Sequence, residues 1–473
     1  MDFGIDFGTT NSACTGIMDM GHVKKYSDRE ESPFPSIVII DRVTGEVTCG
    51  RKAREQREQL RESCEIISSV KADLGTDKVY MIAGKRWTPE MVTAQIFLGL
   101  KKLVDERGDN LAEAVVAVPV NFLPDKRTAL RKAAEIAGVR IKTFVSEPTA
   151  ALFDQYSIAG NYSKVAVFDW GGGTLDVSVV ENSGGMIKEL ATAGLNLAGD
   201  HIDRKLAEWV HDQLLKDKRL NKPFSSMSSE DRDKMIARCE RAKKDLCDDD
   251  IVDVRLLDYG GLDTVKVNID IDTFTQLIAP EVNRAIACLN EALDRSRVSL
   301  AETGCILMVG GSVNLRPLQV IARQHWCDKV IFPTDSAWTV SNGAAQLSAE
   351  PGQHISSQKF GVTMSDGKLY PLVDEGTKLD DLKKEVCFAL VENSETANIV
   401  ISDGNGNYID SIDVPATGFL SEKICLDVTV SEDLVLNIVA KSSHRGKSYA
   451  REWRYPGITM NYRLPELAQK AQG

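Results

Sequence analysis

The chain has 473 residues, 43% of them hydrophobic and 27% charged, with a formal net charge of -12 at pH 7. That length suits roughly two to four globular domains, and the acidic balance argues against nucleic acid or an anionic membrane surface as the main partner. No apolar run approaches the ~20 residues of a membrane helix, no basic stretch followed by an apolar core opens the chain, and the ten cysteines include no CxxC pair, so reduced thiols in a cytoplasmic protein are expected.

The chain opens with "FGIDFGTTNS", residues 3–12. An apolar run ends at Asp6, and a tight turn of Gly8, Thr9, Thr10 and Asn11 follows. A surface hairpin accounts for such a turn; so does an anion-binding concavity. Next, "TPEMVTAQIFLGLKKLVDERG" predicts a helix with Thr88 as N-cap, Pro89 at its first position and Gly108 beyond its basic end. "EAVVAVPV" (113–120) reads as a buried strand, and "PDKRTALRKAAEIAG" as a helix closing on Gly138.

"VAVFDWGGGTLDVSVVENSG" (165–184) then repeats the plan of the opening segment. Asp169 ends a strand, Gly171, Gly172 and Gly173 form the turn, and Thr174 and Asp176 enter a second strand. The two copies lie about 160 residues apart, too far for a solenoid period and suited to two homologous lobes. Two hairpins, each with an acid at its turn, are expected to face each other across a cleft. Alternating strands and helices imply an α/β architecture.

Residues 229–247 predict an amphipathic helix. Met235, Cys239, Ala242 and Leu246 form its core face. Glu240, Lys243, Lys244 and Cys247 form a second stripe, readable as a solvated face with ion pairs. "CILMVGGSVNLRPL" (305–318) reads as a buried strand running into a Gly310-Gly311-Ser312 turn, where backbone N–H groups are accessible to a ligand. "SNGAAQLSA" (341–349) looks like a closing helix. From about residue 355 β patterns dominate: Ile424, Leu426, Val428 and Val430 alternate, then Leu434, Leu436, Ile438 and Ala440, with a break at 431–433. A second hairpin is expected around Asp403-Gly404.

No GxxxxGK[ST], GxGxxG, HExxH or GxSxG is present. "RGKS" (445–448) has Lys441 where the first Gly of a phosphate loop belongs, and it lies in a hairpin context. What remains is a dispersed set: Asp6 with Gly8-Thr9-Thr10, Lys71 in "SSVKADLG", Glu147 in "SEPTAAL", Asp169 with Gly171 to Asp176, Gly199 in "LNLAGDHID", and Gly310-Gly311-Ser312.

In this order the segments resemble the 70-kDa heat-shock chaperones of the actin-like ATPase superfamily, over about residues 2–350. "ERAKKDL" and "VGGS" resemble that family's adenosine-contacting segments, which reassigns the stripe of Glu240, Lys243, Lys244 and Cys247 to the nucleotide. The resemblance implies a two-lobed actin-like (ribonuclease H-like) ATPase domain at 1–350, with lobe I at about 1–163 plus 335–350 and lobe II at about 164–334. A linker at 351–358 and an all-β sandwich at 359–473 follow. It implies ATP or ADP with Mg²⁺, with K⁺ as a further candidate ion. Asp6 and Asp169 would hold the hydrated Mg²⁺. The amides of Thr9, Thr10, Gly171, Gly172 and Gly173 would cradle the phosphates, with Gly8, Asn11 and Gly199 as further nucleotide-binding residues and Gly310, Gly311 and Ser312 near the nucleoside. Lys71, Glu147, Thr174 and Asp176 would position the attacking water and stabilise charge.

Five departures stand against that pattern. After "AREWRYPG" only "ITMNYRLPELAQKAQG" remains, so no sequence for a helical lid is at hand and fast release of polypeptide is expected. The connector "AEPGQHISSQK" is polar and reads as flexible. Thr143 stands where the family has a basic residue serving J-domain co-chaperones, and Val313-Asn314 where it has Thr-Arg near the adenine; Ala198 replaces one Gly of a pair. The first reading is an ATP-dependent chaperone that hydrolyses ATP and binds unfolded or extended polypeptide, with J-domain co-chaperone and nucleotide exchange factor as further partners. The alternative is a nucleotide-sensing regulatory or scaffold protein with one dedicated protein partner. A small-molecule kinase of the same fold is the third.

Overall fold

The computed structural model describes residues 1–18, 21–28, 32–57, 60–390 and 394–466. Residues 467–473, the end of the short stretch following Gly457, lie outside them. The chain is mixed α/β and divides into two compact units: Met1–Pro119, Ala129–Asn182 and Leu190–Glu350 in the first, and Val120–Thr128, Ser183–Glu189 and Pro351–Gly473 in the second. Among the described residues no helix is long and apolar enough to cross a membrane.

The repeated segments of the first unit build equivalent hairpins. Asp2–Phe7 pairs antiparallel with Asn11–Ile17 and parallel with Glu113–Val118. Lys164–Trp170 pairs antiparallel with Leu175–Ser183 and parallel with Cys305–Val309. Each hairpin thus has a buried parallel neighbour; Phe3, Ile5 and Phe7 bury one face of the first strand, while Val165, Val167 and Phe168 bury both faces of the second. Helix Thr339–Ala349 packs so closely on the first strand that a Cβ on Gly4 would lie 2.0 Å from the Ala345 nitrogen. Thr15 and Ser341 share a hydrogen bond of 2.8 Å there. The helix Pro89–Asp105 starts on Thr88, whose hydroxyl accepts from the Met91 N–H. The helix Ser229–Asp245 starts on Ser228 and buries Met235, Cys239 and Ala242, with Leu246 buried just beyond its end.

The second unit holds two four-stranded sheets. One runs Leu369–Val373, Phe360–Thr363, Thr396–Asp403, Tyr408–Pro415; the other runs Lys383–Ala389, Lys423–Val430, Leu436–Ser442, Arg451–Tyr455. Leu434 does not continue the alternation of its neighbours: it sits in the turn with φ +55°, and its strand begins at Leu436.

Two expectations are corrected here. Cys387 and Cys425 stand opposite each other in the antiparallel ladder and form a disulfide, so the thiols are not all reduced; eight other cysteines are free. The polar connector is held rather than loose. Gln353–His354 pairs with Tyr462–Arg463, which pairs in turn with Met186–Ile187. The Ile355 N–H donates to Asn461 C=O, and His354, Ile355 and Ser356 are buried. Main-chain hydrogen bonds hold this segment, and composition does not register them.

Candidate functional site

The site lies in the first unit and starts from the two hairpin turns. Asp6 and Asp169 occupy matching places near the ends of their first strands, cross-paired with Ala13 and Asp176 respectively. The turns face each other. A Cβ on Gly172 would meet Thr10 Cγ2 at 2.9 Å, and one on Gly173 would meet Thr10 Oγ1 at 2.9 Å. Glycine permits that approach of backbone to the Thr10 side chain. Gly171 donates its own N–H to Thr174 C=O at 3.0 Å, so it holds the turn rather than offering a donor. Among the described residues the N–H groups of Thr9, Thr10, Gly172 and Gly173 have no acceptor. Open N–H groups on facing turns are what an anion-binding concavity requires.

Further loops close on the Gly171–Gly173 turn. Its carbonyls accept from the Ser312 hydroxyl at 2.7 Å and from the Asp200 N–H at 2.9 Å. A Cβ on Gly199 would lie 2.9 Å from Lys243 Nζ and 3.1 Å from Ser312 Oγ. Gly310 has φ +87°, and a Cβ there would lie 2.7 Å from Asp169 Oδ1. The expected residues Thr10, Asp169, Gly172, Gly199, Lys243, Gly310 and Ser312 are thus brought together.

Beside them sits a buried charge cluster. Lys71, in the short helix Val70–Asp73, donates to Glu147 Oε1 at 3.2 Å. Glu147 opens the helix Glu147–Asp154, started by Ser146 with Pro148 in its first turn. Burial pushes the Glu147 carboxyl up to about 7 against the pull of Lys71, and the Asp6 carboxyl up to about 6. Burial raises Asp169 well above the carboxylate range, with Glu147, Asp6 and Asp176 adding to it. Burial opposes the Lys71 charge too, but Glu147, Asp6 and Asp176 outweigh it. Four carboxylates share one ammonium.

The stripe expected at the nucleoside is partly engaged within the protein. Glu240 accepts from Arg54 at 2.7 Å and pairs with Lys244 at 3.1 Å. Lys243 pairs with Asp203 at 2.8 Å and donates to Gly199 C=O at 3.2 Å. Cys247 is half-buried, and burial pushes its thiol up to about 11. A cavity of about 460 Å³ opens here, lined by Arg54, Arg57, Arg61, Asp200, Asp203 and Glu240 among others. Arg54, which also donates to Asn11 Oδ1 at 3.2 Å, carries no signal in the sequence. Asp200 and Asp203 had one, since both follow Gly199 at a helix start. Asn314 turns to Ser336, while Arg316 reaches the end of the helix Ser229–Asp245, donating to Leu246 C=O at 2.9 Å and pairing with Asp250 at 2.8 Å.

A family model described as "Hsp70 protein" matches residues 50–345. The chain belongs to the Hsp70 family. It is also 28% identical over 417 residues to the chaperone protein DnaK of Mycoplasmopsis agalactiae, an alignment spanning 85% of this chain and 68% of that protein. Hsp70 proteins are ATP-binding chaperones that take ATP or ADP with Mg²⁺. The Gly171–Gly173 turn, the Lys71–Glu147 pair and the Gly310-Gly311-Ser312 turn of this Hsp70 protein fall inside the matched segment, and the Gly8–Asn11 turn precedes it.

Proposed function

We propose that this Hsp70-family chain binds ATP with Mg²⁺, hydrolyses it slowly to ADP and phosphate, and binds extended polypeptide through residues 359–473. In this reading residues 1–350 form a two-lobed actin-like ATPase domain and the C-terminal sheets a β-sandwich. The observation that carries it is the cluster of four carboxylates around the buried Lys71, with Glu147 buried and Asp6, Asp169 and Asp176 half-buried, beside two facing turns with unpartnered N–H groups. The acidic composition and the eight free cysteines support a cytoplasmic setting.

The donor set fits a hard divalent cation. Asp6 and Asp169 offer carboxylate oxygens beside a single lysine, a cation there would favour their ionised form, and Mg²⁺ takes one or two carboxylates while keeping its waters. When bound, Mg²⁺ supplies charge neutralisation at the phosphates. The rest is the work of the chain. Thr9, Thr10, Gly172 and Gly173 orient the phosphates through their N–H groups. Lys71 sets positive charge where the transferred phosphoryl group gains negative charge. Glu147, whose carboxyl titrates near pH 7, is matched to accepting a proton from the attacking water at working pH. Thr174 and Asp176 complete the network that orients this water.

Single-turnover hydrolysis tests the reading. Wild type is expected to release phosphate with no added acceptor, and Lys71→Ala to lose roughly two orders of magnitude in rate or more. Bound ATP without turnover in the wild type would sink the hydrolytic reading and favour a nucleotide sensor with a dedicated partner.

A further inference from the structure

The second unit carries a feature that the ATPase reading does not use. Cys387 lies on Lys383–Ala389, the edge strand of its sheet. Alternation along that strand turns Lys383, Glu385, Cys387 and Ala389 to solvent. Its disulfide partner Cys425 is only 9% exposed and sits on the neighbouring strand. On the other side of Cys425, the opposite residue is Lys441, whose Nζ is held 2.6 Å from Asp427. Glu385 completes the surroundings, with a carboxylate oxygen within 4.8 Å of both sulfurs. This is one disulfide beside eight free thiols, unlike the disulfide-dense frameworks of small secreted domains.

We propose that Cys387–Cys425 is a reversible thiol–disulfide exchange site, opened by a dithiol reductant, that locks or releases the edge strand Lys383–Ala389. One thiolate of the dithiol attacks the exposed Sγ of Cys387. The bond to Cys425 breaks, and its electron pair leaves on Cys425 as a thiolate; Lys441 stands opposite Cys425 on the next strand, and a positive charge on that neighbour favours departure. The second thiolate of the reductant then attacks its own sulfur in the mixed disulfide. That step releases Cys387 as a thiolate and leaves the reductant as a disulfide. Two electrons pass to the chain, and two protons complete its thiols.

The structural effect follows from the position. An edge strand has a ladder on one side alone, so the disulfide is a second hold on Lys383–Ala389. The inward side chain Phe388 meets the Tyr370 ring edge-on at 5.2 Å between centroids, which carries any loosening to the strand Leu369–Val373 of the other sheet. The bond joins residues 38 apart in sequence, a loop long enough for its closure to matter to stability.

The test uses the full chain, native, with EDTA present because two free thiols and Glu385 would make a metal donor set. The chain is equilibrated in mixtures of reduced and oxidised dithiothreitol, quenched with an alkylating reagent and mapped by mass spectrometry. Cys387 and Cys425 are expected to gain label together as the mixture becomes reducing, while the chain stays folded, and to lose it on reoxidation. The apparent Tm of the second unit should fall by about 5 °C or more in the reduced form. Lys441→Gln should slow the reduction several-fold and leave the Tm of the oxidised form nearly unchanged. Three results would overturn the proposal: both cysteines labelled under fully oxidising mixtures, a bond that yields to the dithiol only when the chain unfolds, or a reduction rate indifferent to Lys441→Gln.

Discussion

Lys71 donates to Glu147 across 76 positions of sequence at 3.2 Å, in a site where both side chains are about one-tenth exposed. This ion pair sits among three further carboxyl groups, and burial drives Glu147, Asp6 and Asp169 toward the neutral form. Folded Glu147 titrates near 7 and Asp6 near 6, against 4.5 and 3.8 as ordinary values. Groups with raised folded pKa bind more protons in the folded than in the unfolded state, so stability falls as pH rises. The loss is expected between about pH 4 and 7. Glu147→Gln should flatten that slope in urea unfolding of the nucleotide-free chain and lower hydrolysis by about two orders of magnitude. A difference between variant and wild type that does not change over this window rejects the assignment.

Gly310 and Gly311 are adjacent but carry different demands. At Gly310 φ is +87°, and an added Cβ would lie 2.6 Å from the Trp170 carbonyl oxygen and 2.7 Å from Asp169 Oδ1; at Gly311 an added Cβ meets nothing within 4 Å. Gly310→Ala combines backbone strain of about 1–3 kcal/mol with displacement of Asp169. Its nucleotide affinity should fall tenfold or more, and Gly311→Ala should bind within about threefold of wild type. Equilibrium titration with a fluorescent ATP analogue distinguishes the two. Equal behaviour of the variants would show that the close approach to Asp169 has no bearing on binding.

Burial works against the Glu240 charge, but Arg54, Lys244 and Lys243 outweigh it and hold the carboxyl down at about 2. A depressed folded pKa contributes stability that is present above the unfolded value near 4.5 and lost as pH falls toward 2. Glu240→Gln should therefore cost about 1–2 kcal/mol at neutral pH. Its deficit against wild type should close between pH 4.5 and 2. Denaturant unfolding at stepped pH measures it, and a deficit that persists unchanged at pH 2.5 would assign the loss to packing instead.

Local signals made much of this legible. Thr88 and Ser228 announce helix starts because capping is a matter of a few neighbouring residues. The repeated strand-acid-turn plan pointed to Asp6 and Asp169 because both hairpins use one solution to the same geometric problem. What escaped is non-local. Arg54 meets Glu240 from 186 positions away, and nothing near it marks the partner. Cys387 and Cys425 meet through strand register, which their spacing does not encode. Leu434 kept the apolar parity of a strand while occupying a turn at φ +55°, since alternation counts side chains and is blind to backbone reversal.

The segment 351–358 provides the last prediction. His354 is buried, its N–H donates to Asp380 Oδ2 at 2.7 Å, and its Nδ1 lies 2.9 Å from Asp380 Oδ1. The Gly352 N–H donates to the Tyr462 hydroxyl at 3.0 Å, and the Tyr462 ring meets the His354 ring edge-on at 5.1 Å. One carboxylate therefore satisfies both main chain and side chain of His354. Asp380→Ala leaves both without that partner, at a cost of about 1.5–3 kcal/mol for a charge-assisted pair. Tyr462→Phe removes one acceptor and keeps the ring, so about 1 kcal/mol is expected. Limited proteolysis of the folded chain should cut within 351–358 faster in both variants, and more so in Asp380→Ala. If the segment is already cut at the same rate in wild type, these contacts do not hold it, and the polar composition that reads as a flexible connector describes it correctly.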